Sequence, residues 1–128
     1  VGMPAIYYGD ETGMTGADFI QARRCMCFNP LTDTGKRLLH LYTALIALRE
    51  KHPALTKGDF HWLEPVCVEG PKALAFRRSY QDDELTLIWN SSEQPLQCRL
   101  AWDNDAEKTF SLAPMEYQIF IKNQEVKL

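Results

Sequence analysis

The chain of 128 residues is long enough for a domain with a real hydrophobic core, and its 45% hydrophobic content is ordinary for a globular protein. A net charge of −3, with no strongly basic stripe, argues against a nucleic-acid partner. No apolar run approaches the roughly 18–20 residues that cross a bilayer, which argues against a membrane partner.

The first predicted element is a short buried strand over residues 3–8, followed by Gly9 and two carboxylates, Asp10 and Glu11. Buried parallel strands read as short apolar runs because helices cover both faces of their sheet. In enzymes built on a β/α barrel, polar residues just after such a strand lie at the rim that holds the active site. One strand cannot form a barrel, so we expect the chain to be a piece of a longer protein.

A long loop is predicted over residues 9–34, because the glycines and scattered polar residues there show no period. Adjacent residues on a strand point to opposite faces, so Asp10 and Glu11 cannot both face one substrate. Either one of them lines a site, or both act with Arg23 or Arg24 as loop anchors through carboxylate–guanidinium pairs. We favour Asp10, Glu11 and Arg24 as structural loop anchors.

An amphipathic helix is predicted after the loop, and Pro53 ends it. Thr32, Asp33 or Thr34 supplies the N-cap. Apolar residues recur at steps of three and four along one face, at Leu38, Leu41, Tyr42, Leu45 and Leu48. Such a face must pack against another element.

After Gly58 the apolar residues alternate with a period of two, which predicts a series of short strands. In the last strand Met115, Tyr117, Ile119 and Ile121 share the apolar face. Turn residues separate the runs, at Gly70-Pro71, Gln81-Asp82-Asp83, Asn90-Ser91-Ser92, Asp103-Asn104-Asp105 and Ala113-Pro114. This spacing favours an antiparallel β-sandwich over residues 56–128, separate from a β/α segment over residues 1–55.

Aromatic and sulfur side chains on these strands are interpreted as core. The register places Trp62, Trp89 and Trp102 inward, although an exposed tryptophan would suit stacking on a sugar. The four cysteines are expected to be reduced and mostly buried, which favours a cytoplasmic protein. Cys25-Met26-Cys27 is too tight for an ordinary zinc knuckle, so no metal is expected, and no phosphate-cradling loop indicates a cofactor.

Three segments stand out as a set: Gly2-Met3-Pro4-Ala5-Ile6-Tyr7-Tyr8-Gly9-Asp10-Glu11, Arg23-Arg24-Cys25-Met26 and His52-Pro53-Ala54-Leu55. Together they resemble the α-amylase family of glycoside hydrolases, in particular its neopullulanase, cyclomaltodextrinase and maltogenic amylase subgroup. The first segment is similar to the eighth barrel strand of that family. The resemblance implies a mainly β chain, in which a C-terminal antiparallel β-sandwich of Greek-key type follows the last strand, loop and helix of a (β/α)8 barrel.

The resemblance also implies a function for the parent protein: retaining hydrolysis of α-glucosidic bonds in starch, maltodextrin or cyclodextrin-type substrates. In this family the catalytic acids lie on earlier barrel strands, so we expect no catalytic residue in this chain and no activity from the chain alone. Asp18 and Arg23 match positions that hold sugars in the subgroup. The alternative is a non-catalytic carbohydrate-binding or structural β-sandwich module.

The apolar opening segment has a further consequence. Exposed strand edges and apolar faces recruit other chains. We therefore expect residues 1–30 to be disordered, to repack onto the β module, or to form a homodimer contact.

Overall fold

A computed structural model describes residues 3–68, 70, 72–102 and 106–128. The chain divides into two compact units, of which the first extends to Lys51 and the second spans His52–Lys127. Among the described residues, no helix combines the length and apolar character needed to cross a bilayer.

The first unit contains one long helix, α1, over Asp33–Lys51, after the short 3-10 turns Asp10–Thr12 and Gln21–Arg23. Thr32 caps α1, because its hydroxyl accepts the N–H of Gly35 at 3.0 Å. Of the three predicted caps, the first is therefore the one in use. The helix ends two residues before Pro53, as the sequence predicts.

Gly35 allows the start of α1 to approach the first 3-10 turn closely. A Cβ atom at this position would lie 2.5 Å from the carbonyl oxygen of Thr12. Gly35 and Thr12 are both buried. Any larger residue at position 35 would push the helix away from the turn.

The strand predicted over residues 3–8 forms no ladder with any strand of the described chain. A parallel strand is held by hydrogen bonds from neighbouring strands, and the described residues place none beside it. The segment instead turns at Gly9, whose φ of 93° suits glycine, and enters the 3-10 turn Asp10–Thr12. Residues 1 and 2 of the predicted opening segment lie outside the described residues.

The second unit is an antiparallel β-sandwich, which confirms the predicted mainly β class. A short helix, α2 (Ala54–Lys57), precedes the strands. The strands are β1 (Asp59–Leu63), β2 (Val66–Cys67), β3 (Leu74–Tyr80), β4 (Asp83–Trp89), β5 (Leu96–Ala101), β6 (Glu107–Leu112), β7 (Tyr117–Ile121) and β8 (Gln124–Val126).

Two sheets form the sandwich, and the chain crosses between them after β1, β2, β4 and β6. The larger sheet has the order β1-β3-β4-β7-β8, and the smaller has the order β2-β5-β6, with every neighbouring pair antiparallel. The predicted turns at Pro71 and at residues 103–105 lie outside the described residues.

The hydrophobic core lies between the sheets and draws on both. Its buried members are Ala73, Ala75, Ile88, Leu96, Cys98, Leu100, Phe110, Leu112 and Phe120. Alternate residues of β5 and the end of β6 supply the smaller sheet's share, as the period-two pattern predicts.

The central strands of the larger sheet are buried on both faces. The sequence predicts one apolar face made of Met115, Tyr117, Ile119 and Ile121. Met115 instead lies before β7 and is 56% exposed, and Ile119 and Phe120 are both buried, at 1% and 3% exposure. Phe120 faces the core between the sheets, while Ile119 faces the other way. The single-face prediction is incomplete here because alternation identifies one face, whereas a central strand has two.

Two predictions of burial are wrong. Trp62 is 66% exposed, because β1 is an edge strand and Trp62 lies on the face that points away from the core. Cys25 and Cys27 are exposed, because they lie on the loop of the first unit and not on a strand. Trp102, by contrast, packs against the core as predicted.

Lys108 is a charged residue that points into an aromatic end of the core. Its ammonium lies 4.6 Å from the ring centroid of Trp102, 5.3 Å from that of Phe110 and 4.1 Å from that of Phe120. A cation over ring faces is favourable, and an inward charge on an edge strand discourages pairing with another chain. Since β6 is an edge of the smaller sheet, Lys108 fits both roles.

A histidine–aspartate pair ties the start of the second unit to the β3–β4 hairpin. His52 Nδ1 lies 2.8 Å from Asp83 Oδ1, and the N–H of Ala54 donates to Asp83 Oδ2 at 2.9 Å. Both side chains are largely buried. These bonds draw residues 52–55 into the second unit, whereas the sequence places the boundary between residues 55 and 56.

Asn90 is completely buried and joins two loops of the sandwich. Its Nδ2 donates to the carbonyl oxygens of Gln94 at 2.7 Å and Ala113 at 2.8 Å. Its Oδ1 accepts the N–H of Ser92 at 3.0 Å and the Ser92 hydroxyl at 2.7 Å. The amide therefore links the β4–β5 loop to the β6–β7 loop with its polar atoms satisfied.

We expect Asn90→Ala to lower the free energy of unfolding by about 2–4 kcal/mol, because it removes a completely buried amide together with the hydrogen bonds that join the two loops. Ser91→Ala, at the exposed neighbouring position, should change it by about 0.5 kcal/mol or less. Urea denaturation followed by tryptophan fluorescence measures both values. Equal effects of the two substitutions would contradict the role assigned to the Asn90 amide.

Acid should weaken the second unit through Asp83. Burial raises the pKa of Asp83, but hydrogen bonds from Ala54 and His52 and the charges of His52 and Lys122 outweigh it and lower the pKa below its ordinary value of 3.8. A carboxyl group with a lowered pKa contributes stability above its unfolded-state pKa and loses it as the pH falls through the folded-state value.

We therefore expect Asp83→Asn to be about 1–2 kcal/mol less stable than the wild type at pH 5 and above, with the gap closing as the pH falls below about 4. Asp82→Asn, at the exposed adjacent position, should follow the wild-type curve. Denaturation midpoints between pH 2 and pH 7 test this, at about one-unit steps. A gap between wild type and Asp83→Asn that does not change with pH would contradict it.

Candidate functional site

The candidate site lies in the first unit, on the loop between Tyr7 and Arg24. Asp10 and Glu11 hold the turn at its start by bonding back to the main chain. Asp10 Oδ2 accepts the N–H of Tyr7 at 3.2 Å, and Glu11 Oε2 accepts the N–H of Gly9 at 2.9 Å. Acidic residues commonly cap turns in this way because their short side chains reach nearby N–H groups.

The partners of Asp10 and Glu11 therefore differ from the arginines that the sequence suggests. Among the described residues, no ion pair joins either carboxylate to Arg23 or Arg24. The main chain of the same turn offers N–H donors only two or three residues away from each carboxylate, so neither carboxylate needs an arginine partner. Their anchoring role rests on local hydrogen bonds.

Two tyrosines that the sequence analysis did not single out fasten the far end of the loop. The Tyr8 hydroxyl donates to the carbonyl oxygens of Ala22 at 3.0 Å and Arg24 at 3.1 Å, and the Tyr7 hydroxyl reaches Ala22 at 3.3 Å. Desolvation and the neighbouring Tyr7 raise the pKa of Tyr8 above its ordinary value of 10.0. Arg24 anchors the loop through its carbonyl group in these bonds.

Asp18 and Arg23, the predicted sugar-binding residues, are brought onto one turn. Asp18 Oδ1 accepts the N–H groups of Ile20 at 2.9 Å and Gln21 at 2.7 Å. Its carboxylate thereby holds the N-cap residue Ile20 and the first residue of the 3-10 turn Gln21–Arg23, which carries Arg23. Both residues are exposed, so a ligand in solution can reach their charged groups.

The guanidinium group of Arg23 stacks on an aromatic ring. Its Cζ lies 3.5 Å from the ring centroid of Phe19. This contact fixes the plane of the guanidinium, and such a contact is worth about 0.5–1 kcal/mol at an exposed site. A fixed guanidinium presents its N–H donors in one direction, which suits binding of hydroxyl groups or a carboxylate.

A small cavity opens beside the tyrosines. Its volume is about 190 Å³, below the about 300–1,000 Å³ typical of small-molecule sites. Asp10 and Arg24 line it together with Gln21 and Ala22, whereas Asp18 and Arg23 do not. The sequence signal for this cavity is the adjacent pair Tyr7-Tyr8, whose rings lie 4.8 Å apart.

No group of three or more His, Cys, Asp or Glu side chains is placed to hold a metal ion in the part of the chain that the structure describes. The site thus offers the exposed carboxylate of Asp18, the oriented guanidinium of Arg23 and exposed aromatic rings. Those groups can bind a polar, uncharged ligand by hydrogen bonds and stacking.

Comparison with known proteins reveals clear relatives, although no family model matches the chain. The maltogenic α-amylase of Bacillus acidopullulyticus is 33% identical over 124 residues, which cover 96% of this chain and 21% of the relative. The cyclomaltodextrinase of Geobacillus thermopakistaniensis is 33% identical over 107 residues, covering 79% of this chain and 18% of the relative. Neopullulanase 2 of Thermoactinomyces vulgaris is 29% identical over 129 residues, covering 100% of this chain and 21% of the relative.

The chain spans about a fifth of the length of the curated relatives it matches. The similarity covers nearly the whole chain, so it includes both the loop with the candidate site and the β-sandwich. The resemblance inferred from the sequence motifs is confirmed: the chain belongs to the α-amylase family of glycoside hydrolases.

Proposed function

We propose that this chain is the C-terminal part of an enzyme that hydrolyses α-glucosidic bonds in starch, maltodextrin or cyclodextrin-type substrates with retention of configuration. The 33% identity with a maltogenic α-amylase over 96% of the chain carries this proposal. In it, the two catalytic carboxyl groups lie on segments of the parent protein beyond these residues.

The surface of the first unit supports the proposal. Large apolar side chains that an ordinary domain would bury are exposed on its loop and on α1. They are Ile6 (47%), Phe19 (68%), Ile20 (82%), Phe28 (76%), Leu39 (40%), Leu45 (39%) and Ile46 (46%). A barrel built from further segments would cover many of these positions, since α1 would then pack as one helix of its outer ring. A homodimer contact through residues 1–30 is the other way to cover them.

The roles in this enzyme differ between the two units. Asp18 and Arg23 would hold sugars on the loop of the first unit, with Arg23 oriented by Phe19. Asp10, Glu11 and Arg24 would keep that loop in shape through the main-chain bonds described above. The proposed sugar-binding residues therefore all belong to the first unit.

The isolated 128-residue chain should release no reducing sugar from maltodextrin, cyclodextrin or pullulan, because the nucleophile and the general acid are absent. The parent protein, expressed with its upstream coding sequence, should hydrolyse at least one of the three. Activity from the pure chain, or an inactive parent, would contradict the proposal.

Substitutions at Asp18 separate sugar binding from turn capping. Asp18→Ser keeps a capping oxygen but removes the carboxylate, whereas Asp18→Ala removes both. In the parent enzyme we expect both variants, and Arg23→Ala, to raise KM for maltooligosaccharides about tenfold or more, the cost of one lost hydrogen bond to a charged group. If Asp18→Ser keeps the wild-type KM, Asp18 acts only as a cap.

A second candidate function is glucan binding by the sandwich itself, and the exposure of Trp62 favours it. The ring of Trp62 is held edge-on by Phe60 and Phe76, at centroid distances of 4.9 and 6.3 Å. Phe60 and Phe76 also stack on each other at 5.2 Å. A rigid exposed ring of this kind suits the apolar face of a glucose unit.

We expect maltooligosaccharides to quench the tryptophan fluorescence of the chain if this second function is real. Trp62→Ala should abolish the quenching, and Trp89→Phe should retain it, because Trp89 is half-buried on a central strand. Quenching that survives in Trp62→Ala, or none in the wild type, would contradict binding at Trp62.

A further inference from the structure

Two cysteines face each other across the edge of the smaller sheet. Cys67 on β2 is directly opposite Cys98 on β5 in the antiparallel register. Residues directly opposite in such a pair point to the same face of the sheet. Their side chains therefore lie side by side.

The hydrogen-bond pattern shows that Cys67 and Cys98 are a non-hydrogen-bonded pair, the kind in which the two Cα atoms are closer. The N–H of Val68 donates to the carbonyl oxygen of Gln97 at 3.4 Å, so Val68 and Gln97 form a hydrogen-bonded pair. Hydrogen-bonded and non-hydrogen-bonded pairs alternate along an antiparallel ladder, so Cys67 and Cys98 form a non-hydrogen-bonded pair. Such pairs have Cα atoms about 4.5 Å apart, inside the range of about 4.4–6.8 Å found for disulfides.

The surroundings give the two thiols different accessibility. Cys98 is 1% exposed within the core, whereas Cys67 is half-buried at the sheet edge. Cys67 Sγ also accepts the N–H of Ala73 at 3.4 Å. An oxidant in solution would therefore meet Cys67 first.

The strand that carries Cys67 is free to adjust. β2 has two residues, Val66 and Cys67, and pairs on one side only, with β5. A short edge strand can shift to satisfy disulfide geometry at little cost to the rest of the sheet. Because β2 is so short, a covalent cross-link to β5 should stabilise it strongly.

We propose that Cys67 and Cys98 form a redox-modification site, at which a low-molecular-weight disulfide converts the two thiols into a reversible cross-strand disulfide that locks β2 onto β5. This site is independent of the proposed glucan hydrolysis, and it holds whichever function the parent protein has.

The reaction proceeds by two exchanges. The Cys67 thiolate attacks one sulfur of the low-molecular-weight disulfide, forms a mixed disulfide and expels one thiolate. The Cys98 thiol then loses its proton to solvent and attacks the Cys67 sulfur, which forms the Cys67–Cys98 bond and expels the second thiolate. Two protein thiols are oxidised, and one disulfide is reduced to two thiols.

Burial of Cys98 should slow the second exchange. Burial, with a smaller contribution from Cys67, raises the pKa of the Cys98 thiol to about 11. The reactive thiolate is then scarce at neutral pH.

The test uses the chain with Cys25→Ser and Cys27→Ser, which leaves only the opposed pair. The folded protein is incubated with oxidised glutathione, quenched with acid and weighed by intact mass spectrometry. We expect the loss of two hydrogens with no glutathione retained, and a peptide cross-link between Cys67 and Cys98. Oxidation should raise the thermal midpoint by about 10 °C, and dithiothreitol should reverse it.

Two further substitutions in that background identify the order of the steps. Adding Cys98→Ala should stop the reaction at one glutathionyl group on Cys67. Adding Cys67→Ser should leave the protein unmodified, because Cys98 is buried. The proposal is overturned if the variant with only Cys25→Ser and Cys27→Ser keeps two free thiols, stops at the glutathione adduct, or is cross-linked only after unfolding in denaturant.

Discussion

The centre of the larger sheet is buried on both faces, and this constraint organises the second unit. On one face Ile88 and Phe120 enter the core between the sheets. On the other face Leu85 and Ile119 are 2% and 1% exposed, and α2 packs against β3 and β4. A sheet covered on both sides excludes water from its hydrogen bonds, so its central strands can be the most stable part of the unit.

The polar contacts at the two ends of β4 follow from this burial. Asn90 lies directly after β4 and is completely buried, and its amide is satisfied by carbonyl groups of the two loops that it joins. Asp83 lies at the start of the same strand and receives His52 and the N–H of Ala54. Polar contacts at the two ends of β4 thus connect this central strand to the start of the second unit and to the β4–β5 and β6–β7 loops.

On the face of the larger sheet that points away from the core, burial decreases toward the edge strand β1. Along the row that pairs Trp62, Phe76, Leu87 and Ile119, exposure falls from 66% at Trp62 on the edge to 1% at Ile119 near the other side. A row of apolar side chains that is buried at one end and exposed at the other is typical of a surface that makes a further contact. A glucan on Trp62 and a further segment of the parent protein are two ways to use it.

Much of the fold could be predicted from the sequence, because local signals carry it. Thr32 and Pro53 bound α1, and period-two alternation predicts the strands, since caps, breakers and side-chain direction act over a few residues. Burial of Phe120 and exposure of Trp62 could not be predicted, because they depend on which strand is central and which lies at an edge. The strand predicted over residues 3–8 needs neighbours that no local pattern supplies.

At the candidate site, the sequence suggests which residues to consider but not the contacts that they make. The family resemblance predicts that Asp18 and Arg23 bind sugars, but the hydrogen bonds of Asp18 and the stacking of Arg23 on Phe19 depend on how the loop folds. Asp10 and Glu11 were expected to pair with arginines, and the nearby N–H groups of Tyr7 and Gly9 take that place. The hydroxyls of Tyr7 and Tyr8 act across more than ten residues of chain, beyond the reach of a local pattern.

The central claim is that this chain supports a retaining glucan hydrolase whose catalytic acids lie elsewhere in the parent protein. The most direct measurement is to trap the covalent glycosyl intermediate of the parent with a fluorinated glucosyl fluoride and to locate the labelled peptide by mass spectrometry. The account predicts a label on a carboxylate outside these 128 residues. A label on Asp10, Glu11 or Asp18 would contradict it.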